Sequence, residues 1–114
     1  MKKLEYLQKL SNSFDLVKDG MGELFLLSEE DDLLIKIKKN GYIPRSGLCF
    51  IDFLKGINIH GSVLDIGTGE TGLLANYSLK RCAKDVVACD KDISAINHAR
   101  ESSPFSEKIK WIIG

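Results

Sequence analysis

The segment 63–72 (VLDIGTGETG) constrains the fold of this chain more than any other part of the sequence. A short apolar run containing Asp65 ends in a turn with Gly67, Gly69 and Gly72, which match the spacing GxGxxG. Glycine lacks Cβ and accepts positive φ, so the backbone can turn sharply and come close to a ligand. A strand that runs into such a turn and then into a helix is typical of α/β proteins that bind a nucleoside-containing cofactor.

A second acid, Asp90, closes the next apolar run, residues 85–89. In nucleoside-binding α/β folds an acid in this place accepts hydrogen bonds from the ribose. From residue 62 onward the pattern predicts strand 62–66, helix 71–82, strand 85–89, helix 92–101 and strand 108–113. This alternation favours right-handed parallel crossovers. We therefore expect an α/β fold with a partial doubly wound (Rossmann-like) parallel sheet.

The first part of the chain has different patterns. Apolar residues recur every three or four positions over residues 3–17, which predicts an amphipathic helix. Two apolar runs, 24–27 and 33–38, flank an acidic turn and predict a β-hairpin with one face in water. We therefore divide the chain into an N-terminal helix and β-hairpin extension, 1–45, and the N-terminal part of a cofactor-binding domain, 46–114, which begins with a helix over 46–54.

Charged residues of the hairpin and of the loop after it have two interpretations each. Lys36, Lys38 and Lys39 could contact phosphates, although a solvated strand face is the simpler interpretation. Arg45 fits a surface ion pair as well as a role with substrate or cofactor.

Composition limits the classes of function. The 16 basic and 16 acidic residues give a formal net charge of zero, so bulk charge gives no support to nucleic-acid binding and does not exclude it. No apolar run approaches the roughly 20 residues of a membrane helix, and we expect a cytoplasmic protein with no membrane contact. Cys49, Cys82 and Cys89 lack CxxC spacing, and His60 and His98 are isolated. We therefore expect reduced, mostly buried thiols and no metal site.

Asp65 distinguishes between two kinds of cofactor. Nucleotide dehydrogenases usually carry small or apolar residues at this position, because a carboxylate beside Gly67 would repel a pyrophosphate. The carboxylate suits a cationic or neutral group, such as the amino-acid end of S-adenosylmethionine. An enzyme that binds a dinucleotide of the NAD type stays an alternative, since the three glycines and Asp90 also meet its spacing.

The sequence resembles the class I S-adenosylmethionine-dependent methyltransferases at four positions: Asp65, Gly67, Gly69 and Asp90. The run 90–100 resembles the strand-to-helix segment that follows the ribose acid in that family. The run 41–45 (GYIPR) is similar to the branch that contains release-factor glutamine methyltransferases and some N6-adenine methyltransferases. The resemblance extends from about residue 22 to residue 114.

The resemblance implies a methyltransferase that uses S-adenosylmethionine as cofactor and a nitrogen of RNA, DNA or a protein side chain as acceptor. It places the methionine end over Gly67 and Gly69 and the ribose hydroxyls on Asp90. The implied cofactor-binding residues are Asp65, Gly67, Thr68, Gly69, Asp90 and Lys91. The sequence departs from the family at Glu70 and Thr71 in the loop and after Arg45, so the acceptor does not carry over.

Catalytic residues are not assigned from the sequence. The narrower branch has an Asn-Pro-Pro-aromatic motif after its fourth strand, and these 114 residues contain no Asn-Pro-Pro. We expect an N-terminal fragment, a truncated product or a degenerate relative that transfers no methyl group by itself, and a non-catalytic Rossmann-like binding module is a further alternative. Without a fourth strand, the edge at 63–66 is expected to be open and to drive self-association.

Overall fold

The computed structural model describes residues 3–114 and contains two β-sheets. The antiparallel sheet has the order β1 (Glu5–Lys9), β2 (Asp15–Lys18), β3 (Leu24–Ser28), β4 (Leu33–Lys36). The parallel sheet has the order β5 (Gly61–Ile66), β6 (Ala83–Asp90), β7 (Ile109–Ile113). The helices are α1 (Arg45–Leu54) between the sheets, α2 (Leu73–Lys80) between β5 and β6, and α3 (Ile93–Ser102) between β6 and β7. The predicted α/β alternation from residue 62 onward is therefore confirmed.

The helix predicted over residues 3–17 is wrong, because this segment forms the hairpin of β1 and β2. The Ser11 hydroxyl oxygen accepts hydrogen bonds from the backbone N–H groups of Ser13 (3.3 Å) and Phe14 (3.0 Å). Such side-chain to backbone bonds stabilise a turn in competition with a helix. β2 also pairs along its whole length with β3. Tertiary pairing and the turn at Ser11 therefore outweigh the helical spacing of the apolar residues.

The predicted hairpin of residues 24–27 and 33–38 is confirmed as β3 and β4. Leu33, Ile35 and Ile37 are buried, whereas Leu34 and Lys36 between them are partly exposed. One face of this sheet packs against α1 and α2 in a core made of Phe14, Leu16, Leu26, Leu33, Ile35, Ile37, Leu48, Ile51, Leu73 and Tyr77. Through Leu73 and Tyr77, α2 fixes the position of the parallel sheet relative to the antiparallel one.

The parallel sheet buries only one of its faces. Val86 and Ala88 of β6 pack with Ala75 of α2 and with Ile109 in a second core. On the opposite face, Leu64 is 62% exposed, Ile66 76% and Ile112 40%. Within residues 3–114 no strand pairs with the outer edge of β5. An apolar face and an adjacent strand edge are therefore both accessible.

The structure also bears on the predictions about the cysteines and about membrane helices. Cys49 and Cys82 are exposed and only Cys89 is partly buried, so the expectation of mostly buried thiols is wrong. Cys82 lies in the turn that ends α2, with φ of 76°, and Cys49 lies on the outward side of α1. None of the helices described between residues 3 and 114 is long and apolar enough to cross a membrane.

Candidate functional site

The turn after β5 has the backbone conformation that its glycines predict. Gly67 and Gly69 have φ of 74° and Gly72 has φ of 60°, all in the left-handed region that favours glycine. At Gly72 the space is also limited, because an added Cβ would lie 3.0 Å from a ring carbon of Trp111 and 3.2 Å from Asn76 Nδ2. Two constraints, conformation and packing, therefore require glycine at the end of this turn.

Asp65 is buried at the carboxyl end of β5 and holds the turn together. Its Oδ2 accepts a hydrogen bond of 2.7 Å from the Thr68 hydroxyl. Its carboxylate also accepts one from the backbone N–H of Ala75 in the first turn of α2. Burial raises the pKa of the Asp65 carboxyl, these two hydrogen bonds oppose that rise, and the charge of Asp90 adds to it. Asp65 is therefore a structural acid as well as a residue at the cavity wall.

The first three backbone N–H groups of the turn are occupied within the protein. Those of Gly67 and Thr68 donate to the carbonyl oxygen of Cys89, at 2.8 and 2.9 Å. That of Gly69 donates to Asp90 Oδ2 at 3.0 Å. Those of Glu70, Thr71 and Gly72 make no hydrogen bond within residues 3–114, so the first half of the turn is closed to an anionic group and the second half is not.

The start of α2 resembles the first half of the turn. The backbone N–H of Leu73 donates to the Thr71 hydroxyl oxygen at 3.2 Å, and that of Ala75 is bound by Asp65. Unpaired first-turn donors are what makes a helix N-terminus attract phosphate. Here two of them are already satisfied, and one of the acceptors is a carboxyl group.

A cavity of about 470 Å³ lies between this turn and the segment 42–47, which leads into α1. Four of the six predicted cofactor-binding residues line it, namely Asp65, Gly67, Thr68 and Gly69. Its volume falls within the roughly 300–1,000 Å³ of small-molecule sites. The structure thus brings the glycine turn together with the GYIPR segment, which is distant in sequence.

The other two predicted residues lie beside the cavity and do not line it. Asp90 accepts hydrogen bonds on both oxygens, from the N–H of Gly69 on Oδ2 and from that of Asp92, at 2.9 Å, on Oδ1. A carboxylate offers about four acceptor positions, so Asp90 retains capacity for a ligand. Lys91 is exposed and makes no hydrogen bond or ion pair with the described part of the chain.

Tyr42 and Glu70 also line the cavity, and the sequence interpretation did not assign them to the site. The Tyr42 hydroxyl oxygen lies 3.4 Å from the position of a Cβ built on Gly69, and the Tyr42 backbone N–H donates to Glu70 Oε1 at 3.3 Å. Burial of the hydroxyl, followed by the charges of Glu70, Asp90 and Asp92, raises the pKa of Tyr42. In the sequence, the GYIPR run was the signal for Tyr42, and the glycine loop was the signal for Glu70.

Arg45 is the only cationic residue that lines the cavity, among the residues the structure describes. It is exposed at the first position of α1, and its side chain makes no hydrogen bond or ion pair within residues 3–114. Asp65 and Glu70 are acidic residues of the same cavity. The cavity therefore offers acidic groups and one free guanidinium group, which together suit a zwitterionic ligand. No protein-family model matches the chain, and no curated protein matches it.

Proposed function

We propose that the cavity at the glycine turn binds S-adenosylmethionine, and that the chain is the cofactor-binding portion of a methyltransferase acting on a nitrogen of RNA, DNA or a protein side chain. The charge distribution carries this proposal. S-adenosylmethionine has a sulfonium, an ammonium and a carboxylate group. The cavity has acidic residues beside the glycine turn and the free guanidinium group of Arg45 at α1.

The fold supports the same proposal at a coarser level. Helices connect the parallel strands of β5, β6 and β7, and the glycine turn follows the carboxyl end of β5. Open parallel sheets bind ligands at this end of their strands. We interpret the parallel part as Rossmann-like and keep the cytoplasm as the expected location.

Each residue then has a proposed role. The methionine end would lie over Gly67 and Gly69, with its carboxylate on Arg45, and the ribose hydroxyls would donate to Asp90. Lys91, exposed next to Asp90, would flank the adenosine. Asp65 and Thr68 would keep the turn in the shape that the ligand needs.

The dinucleotide alternative has less support. A pyrophosphate needs free backbone donors at the turn and at the helix start, and those of Gly67, Thr68, Gly69, Leu73 and Ala75 bond within the protein. A carboxylate so close would also repel it. A non-catalytic binding module is compatible with the same cavity and predicts ligand binding without turnover.

Methyl transfer requires little from the protein in acid-base chemistry. The bound sulfonium supplies an activated methyl group, so the protein mainly excludes water and holds the acceptor in line. The proposed contribution of these residues is therefore binding and orientation, through the glycine turn, Arg45 and Asp90.

Substitution of Asp90 tests the assignment. Asp90→Ala removes a charged hydrogen-bond acceptor and should weaken binding of S-adenosylhomocysteine by about 1–3 kcal/mol in a calorimetric titration. Asp85→Ala, at the other end of β6 and exposed, is the matched control and should bind like the parent. Unchanged affinity of Asp90→Ala, measured at a temperature at which the variant is folded, would exclude Asp90 as the ribose acid.

A further inference from the structure

A second cavity, of about 740 Å³, lies between β4 and α3. Its lining includes Glu23, Lys36, Lys38, Lys39, His98 and Gly41, the first residue of the GYIPR segment. We call this cavity the lysine cleft. It is larger than the cavity at the glycine turn.

The lysine cleft has three lysines and one acid, Glu23, in its lining, in a chain whose formal net charge is zero. Lys36 pairs with Glu23 at 3.2 Å, but both side chains are more than a third exposed. Such an exposed pair contributes little free energy, so a phosphate can compete with Glu23 for the ammonium group. Lys39 is exposed and makes no ion pair within residues 3–114.

The lysine cleft adjoins the cavity at the glycine turn, and Glu70 connects the two. Lys38 Nζ lies 3.9 Å from Glu70 Oε2, and His98 Nδ1 donates to the Glu70 carbonyl oxygen at 2.7 Å. Gly41 lies so close that a Cβ there would be 2.5 Å from Glu70 Oε1. The two cavities are therefore adjacent, with Gly41 lining one and Tyr42 the other.

Tyr42 stands at the junction of the two cavities and points to the class of ligand. It is 60% exposed, follows Gly41 of the lysine cleft and lines the cavity at the glycine turn. Single-stranded nucleic acids bind to proteins through cationic grooves for the phosphates and exposed aromatic rings for the bases. An acidic peptide would use the lysines but has no comparable need for the ring.

We propose that the lysine cleft binds the phosphates of a single-stranded nucleic acid, with a base stacked on Tyr42. The acceptor of the proposed methyl transfer is then a nucleic-acid base and not a protein side chain. The second statement rests on the proposed function, whereas the first does not. Lys36 and Lys39 supply the phosphate contacts, and Lys38 orders the Glu70 wall between the two cavities.

The test is fluorescence anisotropy with labelled single-stranded RNA and DNA of one sequence and about 12 nucleotides. A plot of the logarithm of the association constant against the logarithm of the salt concentration has a negative slope, to which each phosphate contact contributes about 0.7. The double variant Lys36→Gln/Lys39→Gln removes two contacts and should reduce the magnitude of this slope by about 1.4. At about 0.1 M salt this corresponds to a loss of roughly 25-fold in affinity. The matched control is Lys84→Gln/Lys110→Gln, which removes two exposed lysines from the parallel sheet. It should leave the slope unchanged. Tyr42→Leu should weaken binding at least about fivefold, the loss of one stacked base.

Two results would overturn the proposal. One is an equal loss of affinity in the two double variants, which would indicate a bulk charge effect. The other is tighter binding of an oligoglutamate peptide than of either oligonucleotide. Titration of Lys36→Gln/Lys39→Gln with S-adenosylhomocysteine tests the proposed function separately. The affinity of this variant for S-adenosylhomocysteine should equal that of the parent, whichever polymer binds the lysine cleft. Comparison of RNA with DNA shows whether the 2′-hydroxyl contributes.

Discussion

The two sheets of this protein differ in what they leave exposed. In the antiparallel sheet Leu26 and Ile35 are fully buried, and the edge strand β1 carries Glu5 and Lys9. In the parallel sheet Leu64 is mostly exposed, and the edge strand β5 has one acid, Asp65, which is buried. Charged edge strands resist pairing with other chains, whereas uncharged apolar edges invite it. The antiparallel sheet therefore has an edge strand that resists pairing, while the parallel sheet has an exposed apolar face and an edge that can pair with a partner.

The largest expected effect contrasts one leucine from each sheet. Leu26→Ala leaves a cavity in the core and should lower the free energy of unfolding by about 2–5 kcal/mol. Leu64→Ala, with the same change on the exposed face of β5, should alter it by less than about 0.5 kcal/mol. Urea denaturation at low protein concentration measures both. Equal losses would show that the face of the parallel sheet is covered.

Substitution of glycines gives the next contrast. Gly72→Ala forces alanine into left-handed backbone against Trp111 and Asn76, and should cost about 2 kcal/mol or more in unfolding free energy. Gly20, in the turn before β3, has no atom within 4 Å of an added Cβ and no positive φ. Gly20→Ala should therefore be neutral or slightly stabilising. If the two variants unfold alike, the turn after β5 does not have the strained geometry described above.

The open edge of β5 predicts self-association. Two copies that pair antiparallel across a two-fold axis would satisfy the backbone groups of both edges. Leu64→Lys should weaken this association at least about tenfold, or about 1.4 kcal/mol, in sedimentation equilibrium. Leu7→Lys on β1 is the control and should not change it. A parent chain that stays monomeric at high concentration would contradict the prediction.

The smallest expected effect is a pH dependence from Asp65. Because its folded pKa lies above the ordinary value, the carboxyl stabilises the fold most at low pH, and this contribution is lost as pH rises through the folded pKa. The stability of the parent relative to Asp65→Asn should therefore fall from about pH 3 toward neutrality. Urea denaturation across this range measures the difference, with Leu64→Ala as a control that changes no titratable group. The opposite slope would show that hydrogen bonds to Asp65 outweigh its burial.

Sequence patterns predicted the parallel part of the fold and failed for the first hairpin, for a physical reason. In residues 61–114 the period of the apolar residues and the turn residues agree, and glycines with positive φ mark the turn between β5 and α2. In residues 3–17 they conflict, because apolar spacing favours a helix while Ser11 favours a turn. The conflict is decided by pairing with β3, a contact that no local pattern contains.

For the candidate site, the sequence located the glycine turn but not the hydrogen bonds around it. The glycine spacing located the turn, and Asp65 and Asp90 were identified by their positions at strand ends. That Asp65 would bond Thr68 and Ala75, and that Tyr42 would cover Gly69, depends on how the segments pack in three dimensions. The same holds for the adjacency of the lysine cleft to the glycine turn.

A calorimetric titration of the parent chain with S-adenosylhomocysteine and with NAD tests the central claim most directly. The carboxyl group of Asp65 and the occupied N–H groups of residues 67–69 disfavour a pyrophosphate, while the acidic residues of the cavity and Arg45 suit an amino-acid group. We therefore predict measurable binding of S-adenosylhomocysteine and weaker or no binding of NAD. Tighter binding of NAD than of S-adenosylhomocysteine would contradict the account.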